Sequence, residues 1–125
     1  MRKRLIIGCI IAAMLISVVY VVWQVYDLSA DYNYGTAKLD IKNGNVKLIN
    51  IGSHKISSKD KEIELVAARY GFKNIYIENF TPQQTEKGIN DYNKLIETYL
   101  EFRNGVDWKT NYKREVDSLN KAAAP

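Results

Sequence analysis

The amino-acid sequence predicts an α/β (α+β-like) protein with one N-terminal transmembrane helix. A small three-stranded mixed sheet follows, a hairpin plus a βαβ unit in the order 1-2-3, packed with three helices. Three observations predict it. Residues 5–26 form an uncharged run of 22 residues behind Arg2, Lys3 and Arg4. Asn43-Gly44 divides two runs of alternating apolar residues, the strongest short hairpin signal. Beyond residue 56, helical and extended apolar periods alternate, and Gly71 and Gly105 close the helical stretches.

The first of these sets the location. As a helix rising ~1.5 Å per residue, the run spans about 33 Å, enough to cross a hydrocarbon core of ~30 Å. Tyr20, Trp23 and Tyr26 fall near its outer end, where aromatic rings favour headgroup depth. Basic residues precede the run and Asp27 and Asp31 follow it, so the positive-inside bias predicts a cytoplasmic tail over 1–4, a membrane helix over 5–26 and an extracytoplasmic remainder. The membrane is expected to be the cell (inner) membrane, with the domain periplasmic in a Gram-negative envelope. Two other readings compete. Leu5-Ile6-Ile7-Gly8-Cys9 resembles a lipobox, but too little apolar chain separates Arg4 from Cys9 for a signal needing ~7–15 such residues. A removable signal cut after Leu28-Ser29-Ala30 would place a large Leu28 where a small residue belongs. An uncleaved single-pass anchor is favoured. Its Gly8/Ala12 and Cys9/Ala13/Ser17 faces would let a second copy approach closely, as in a homodimer. Small residues are also simply common in membrane helices.

Charge then excludes one class of partner. Three of the 18 Lys and Arg precede residue 5, and all 14 Asp and Glu follow residue 26. The exported part is left with 15 basic against 14 acidic residues. The overall net charge of +4 therefore reports topology, and no nucleic-acid partner is expected. Cys9 is the only cysteine, so no intrachain disulfide braces the domain.

In the exported part, residues 27–36 read as a polar tether, 37–121 as one domain and 122–125 as a tail. Residues 37–52 read as the hairpin, with Ile41 opposite Val46, Leu39 opposite Leu48, and Asp40 paired across the strands with Lys47. Residues 57–72 read as a helix, with Ser57 or Ser58 capping its start, Ile63, Val66, Ala67 and Tyr70 on its apolar stripe, and Gly71 as the left-handed residue ending it. Residues 73–80 read as a strand parallel to the second. Thr81-Pro82-Gln83-Gln84 reads as a capping box opening a long helix up to Asn104-Gly105, and a last helix starts at Asp107. Tyr92, Tyr99, Trp108 and Tyr112 recur at helical spacing and are assigned to the core rather than to an exposed docking strip.

The strings Val66–Ile77, Gly88–Leu100 and Arg103–Val116, with this order of elements, resemble a group of small uncharacterised membrane-anchored proteins, mostly from Bacteroidota, labelled FEKKY-domain proteins. The likeness spans roughly residues 38–118. Where that label implies Phe-Glu-Lys-Lys-Tyr, this chain has Val66-Ala67-Ala68-Arg69-Tyr70, and where a Gly-Cys often follows the third strand it has Glu78-Asn79. The resemblance implies a bacterial envelope protein and carries over no catalytic residue.

No phosphate loop, nucleophile elbow or metal-ligand spacing occurs, so no catalytic residue, cofactor or metal is expected. The best candidate site is geometric. Ser53 and His54 leave one strand at its carboxyl end, Glu78 leaves the parallel neighbour, and Ser57 and Ser58 start a helix nearby. Ligands of α/β units bind at such strand ends. These five residues form the candidate ligand-binding set, for a small molecule or an anion, with acid–base work the lesser option. The leading expectation for the chain is an extracytoplasmic protein-interaction or accessory module with a protein partner in the envelope. A small-molecule sensor or enzyme at the strand ends is the alternative.

Overall fold

The structure, a computed structural model, describes residues 1–25 and 30–123. Helix α1 (Arg2–Val25) buries none of its residues. Its length and hydropathy suit a membrane anchor and equally a signal sequence. The rest comprises α2 (Tyr34–Lys42), β1 (Lys47–Ile51), α3 (Asp60–Tyr70), β2 (Lys73–Ile77), α4 (Glu86–Asn104) and α5 (Trp108–Ala123).

The three-stranded sheet is corrected to a two-stranded one. β1 and β2 pair in parallel, Ile49 beside Ile75 and Asn50 beside Tyr76. The expected first strand of the hairpin is the helix α2. Asn33 caps it: its side-chain oxygen accepts from the Thr36 N–H at 3.0 Å, and its own N–H donates to Thr36 Oγ1 at 2.8 Å. This reciprocal box fixes a helical first turn. Asn43-Gly44 then ends the helix instead of turning a hairpin. A type I′ turn needs positive φ at both residues, but Asn43 sits at φ −89° and only Gly44 is left-handed, at +72°. The Asn45 N–H donates to Asp40 O (2.8 Å) and the Gly44 N–H to Ile41 O (3.3 Å), the bond pair of a Schellman motif. Asp40 and Lys47 do meet, Oδ2 to Nζ at 3.4 Å, but from a helix to a strand rather than across a ladder.

The tether assignment also changes. Residues 26–29 lie outside the described residues, but Ala30 and Asn33 are buried and Asp31 donates its N–H to Gln83 O at 2.7 Å. The segment packs on the start of α4, where a Cβ added to Gly88 would fall 2.3 Å from Tyr32 O. Four helices, not three, therefore build the domain. Helix α4 starts later than its capping box predicts. Gln84 Oε1 does accept from the Thr81 N–H at 3.0 Å, but this closes an isolated turn, and Thr85 caps the helix through the Gly88 N–H. Helix α5 runs on into residues 122 and 123, read as part of the C-terminal tail, and the rest of that tail lies outside the described residues.

Helix α3 ends as its sequence predicts. Gly71 is left-handed at φ +96°, and the Phe72 N–H returns to Ala67 O at 3.1 Å. The core joins Ile49, Phe72, Ile77, Ile89, Tyr92, Ile96, Leu100 and Trp108. Trp108, Tyr112, Tyr70 and Phe72 pack edge-to-face or tilted, with Phe72 and Tyr112 centroids 5.1 Å apart, so these aromatics are core. Burial holds the Tyr70 phenol above its ordinary range, reinforced by Glu115, and Arg69, 3.0 Å from Glu115, holds that carboxyl below its own.

A lone parallel pair leaves both outer edges unladdered. Helix α4 supplies the missing partner for β1. Asn93 Oδ1 accepts from the Ile49 N–H at 2.9 Å, and Asn93 Nδ2 donates to Ile49 O at 2.8 Å. One carboxamide thus does for Ile49 what a neighbouring strand would have done.

Candidate functional site

Both strands, running in parallel, deliver their carboxyl ends to one end of the domain, and α2, α3 and α4 start there. Gly52 joins the strand ends, donating its N–H to Ile77 O at 2.8 Å. The loop after it folds back over β2. The His54 ring stacks on Tyr76, with centroids 3.9 Å apart at 17°, and His54 Nε2 lies 3.3 Å from Asp60 Oδ2. The same oxygen accepts from the Ser57 N–H at 3.0 Å, and Ser57 Oγ accepts from the Lys59 N–H at 3.2 Å. Helix α3 starts later than expected, with Lys59 at its N-cap and no side-chain cap, so neither Ser57 nor Ser58 caps its first turn.

The floor comes from alternate strand positions. Register places Leu48, Asn50, Asn74 and Tyr76 on the same face. Asn50 Nδ2 donates to Asn74 Oδ1 (3.2 Å) and Ile75 O (3.4 Å). Asn74 Nδ2 donates to Glu64 Oε1 (3.2 Å) and Tyr112 Oη (3.0 Å). Asn50, Asn74, Tyr76 and Tyr112, with Ile63, Val116 and Asn120, line an open groove of about 770 Å³ between the sheet, α3 and α5. Burial raises the Tyr76 phenol above its ordinary range, and the Glu64 charge raises it further. Burial also raises Tyr112, with Glu64 adding to it and the Asn74 bond opposing. Both phenols stay neutral at physiological pH and act as hydrogen-bonding groups, not as bases.

Of the five candidate residues, His54, Ser57 and Ser58 line this groove. Ser53 and Glu78 are exposed and outside its lining. The Ser53-His54-Glu78 grouping is thus replaced by a His54–Asp60 pair. Asn50, Asn74, Tyr76 and Tyr112 escaped the sequence reading. Their one signal was a carboxamide within each of two apolar strands, which becomes meaningful only once the register is known. Chemically the groove is a hydrogen-bonding surface in which Asn50, Asn74 and Tyr112 are joined in one row and His54 and Ser57 both meet Asp60. Among the described residues no three or more His, Cys, Asp or Glu side chains gather to hold a metal ion.

The opposite end differs in character. Helix α4 carries the chain about 28 Å from Thr85, at ~1.5 Å per residue, and α5 returns. Where they meet, Phe102, in the last turn of α4, is 91% exposed, and Val106, just past Gly105, is 80% exposed. Surface apolar residues are ordinary singly, but two so fully solvated at one turn form a knob. Comparison with family models, curated proteins and solved structures gives no match to this chain.

Proposed function

We propose that this is a single-pass membrane protein, N-terminus in the cytoplasm, whose extracytoplasmic domain docks a protein partner of the cell envelope through the Phe102/Val106 knob. The observation that carries this reading is the exposure of those two side chains at the end of α4 farthest from the anchor. Solvated apolar side chains at a protruding turn are the kind that fill a partner's recess and anchor an interface. The Asn50–Asn74–Tyr112 row and the His54–Asp60 pair of the groove are meanwhile bonded internally, which favours a binding module over an enzyme. Arg2, Lys3 and Arg4, in the first turn of α1 and ahead of its uncharged run, support the orientation. Kinship with FEKKY-domain proteins belongs to the same proposal and rests on the strings already quoted.

The test is a photoreactive amino acid at position 102 in the full chain, expressed in its own membranes, with native mass spectrometry of the gently extracted complex. One dominant adduct is expected at 102, lost when Val106→Asp is added, together with a stoichiometric complex lost in Phe102→Ala/Val106→Ser. A complex that survives both substitutions would sink the knob as the docking element. A second reading, a small polar ligand in the groove, is favoured by the convergence of His54, Ser57, Asn50, Asn74 and Tyr112. It expects Asn50→Ala and Tyr112→Phe to abolish a function that Phe102→Ala leaves intact.

A further inference from the structure

The short link between anchor and domain fixes more than location. Val25 ends α1 and Ala30 is already packed in the domain. Whatever the conformation between them, five residue steps span at most about 18 Å. Lys87, in the first turn of α4, donates to the Val25 carbonyl oxygen. The end of the domain that carries the start of α4 is therefore held at the bilayer surface.

That end bears exposed apolar side chains of its own. Ile56, in the loop between β1 and α3, is 87% exposed, and Phe80, between β2 and α4, is 46% exposed. Ile51, the last residue of β1, is exposed as well. All three leave the carboxyl ends of the strands, and Phe80 lies three residues before Gln83, whose carbonyl accepts from Asp31. We infer that this end of the domain rests on the bilayer from which its own anchor emerges, with Ile56 and Phe80 dipping into the interface. The inference rests on α1 being a retained anchor. Nearby charges come in both signs, Lys55 and Lys59 with Glu78 and Glu86, so the contact is apolar and needs no anionic lipid. The groove then opens beside the membrane surface, and the Phe102/Val106 knob is held away from it. A bilayer suits this surface better than a protein does, because a partner would have to enter the narrow space the link allows.

The experiment uses the full chain carrying Cys9→Ala, prepared with single cysteines at Ser17→Cys, Lys55→Cys, Asn79→Cys or Phe102→Cys. Each is labelled with a fluorophore and reconstituted into phosphatidylcholine vesicles holding lipid quenchers at headgroup or chain depth. The labels at 55 and 79 should be quenched several-fold more by the headgroup quencher than the label at 102, at low and high salt alike. Adding Ile56→Ser/Phe80→Ser should bring them down to the level at 102. Equal quenching at 55, 79 and 102, with the label at 17 quenched by the chain quencher, overturns the inference and leaves the anchor standing. A label at 17 that lipid does not quench removes both. Strong quenching at 55 and 79 that survives the double substitution refutes the apolar contact, since the short link alone would then explain it.

Discussion

Asn93 carries the sharpest structural claim, that a side chain of α4 stands in for a strand. Its carboxamide satisfies both the N–H and the C=O of Ile49, a residue 3% exposed. Asn93→Ala leaves two backbone groups without partners where water has poor access. At roughly 1–3 kcal/mol for each unsatisfied group, the loss comes to about 2–6 kcal/mol. That is a large share of the ~5–15 kcal/mol that holds a domain folded. Asn93→Asp is the informative companion. It keeps the shape and the acceptor for the Ile49 N–H but sets a carboxylate oxygen against Ile49 O. Near neutral pH it should be about as damaging as alanine. Folding would raise the introduced carboxyl's pKa, because only its protonated form can donate to Ile49 O. Part of the loss should therefore return as pH falls through that raised value. The assay is urea unfolding of the full chain in detergent micelles, followed by Trp108 fluorescence with Trp23→Phe as background. A loss below about 1 kcal/mol for Asn93→Ala, within the range of an ordinary solvated bond, would show that the β1 edge does not depend on this residue.

Three other substitutions probe the packing of the domain. Gly88→Ala gains about 1 kcal/mol of helix propensity, but its Cβ would meet Tyr32 O at 2.3 Å and Thr85 Oγ1 at 2.8 Å. Overpacking of ~1–3 kcal/mol should win because a backbone oxygen cannot swing aside, and thermal unfolding should show a lower midpoint; an equal or higher one refutes the contact. Asn33→Ala removes the α2 capping box and the 2.7 Å bond from Asn33 Nδ2 to Ala30 O, costing about 1–2 kcal/mol in urea unfolding, with Asn33→Asp falling between. The Tyr92 hydroxyl donates to Asp40 Oδ2 at 2.5 Å, and burial, followed by that carboxylate, raises its pKa above the ordinary 10.0. Its contribution is thus complete below pH 10 and is lost as pH climbs from there towards the folded value. Absorbance of tyrosinate should therefore appear together with alkaline unfolding, and Tyr92→Phe should make that unfolding less steep in pH.

Several elements were legible in the sequence because local chemistry alone selects them. The long uncharged run has no alternative to a helix of membrane-spanning length. Gly71 closes α3 because its left-handed φ of +96° is open to glycine without strain. The two β-branched strands on either side of α3 pair in parallel, since a helical crossover returns the chain in the same direction. The apolar spacing along α4 and α5 marks the faces that meet the core.

Where one local signal serves two structures, the sequence could not choose. Asn43-Gly44 suits a hairpin turn and a helix C-terminus alike, and Leu39/Ile41 fits alternation as well as Ala37/Ile41 fits a helical step. Contacts from outside the segment settled it: Ala37 is fully buried where α2 packs on α4, and Tyr92 of α4 reaches Asp40. With the hairpin strand gone, the β1 edge fell to Asn93, which lies 44 residues along the chain from Ile49. The groove has the same origin. Asn50, Asn74 and Tyr112 are unremarkable singly and become one hydrogen-bonded row only when strand register and the α5 crossing bring Asn74 within 3.2 Å of Asn50 and 3.0 Å of Tyr112. The sequence by itself determined the helix long and apolar enough to span a membrane, the helix-ending glycine and the parallel pair, because each depends on forces within a few turns of chain. Tertiary packing decided the identity of the 34–42 segment, the strand edge and the site, because each is held by groups far apart in sequence whose partners no local pattern names.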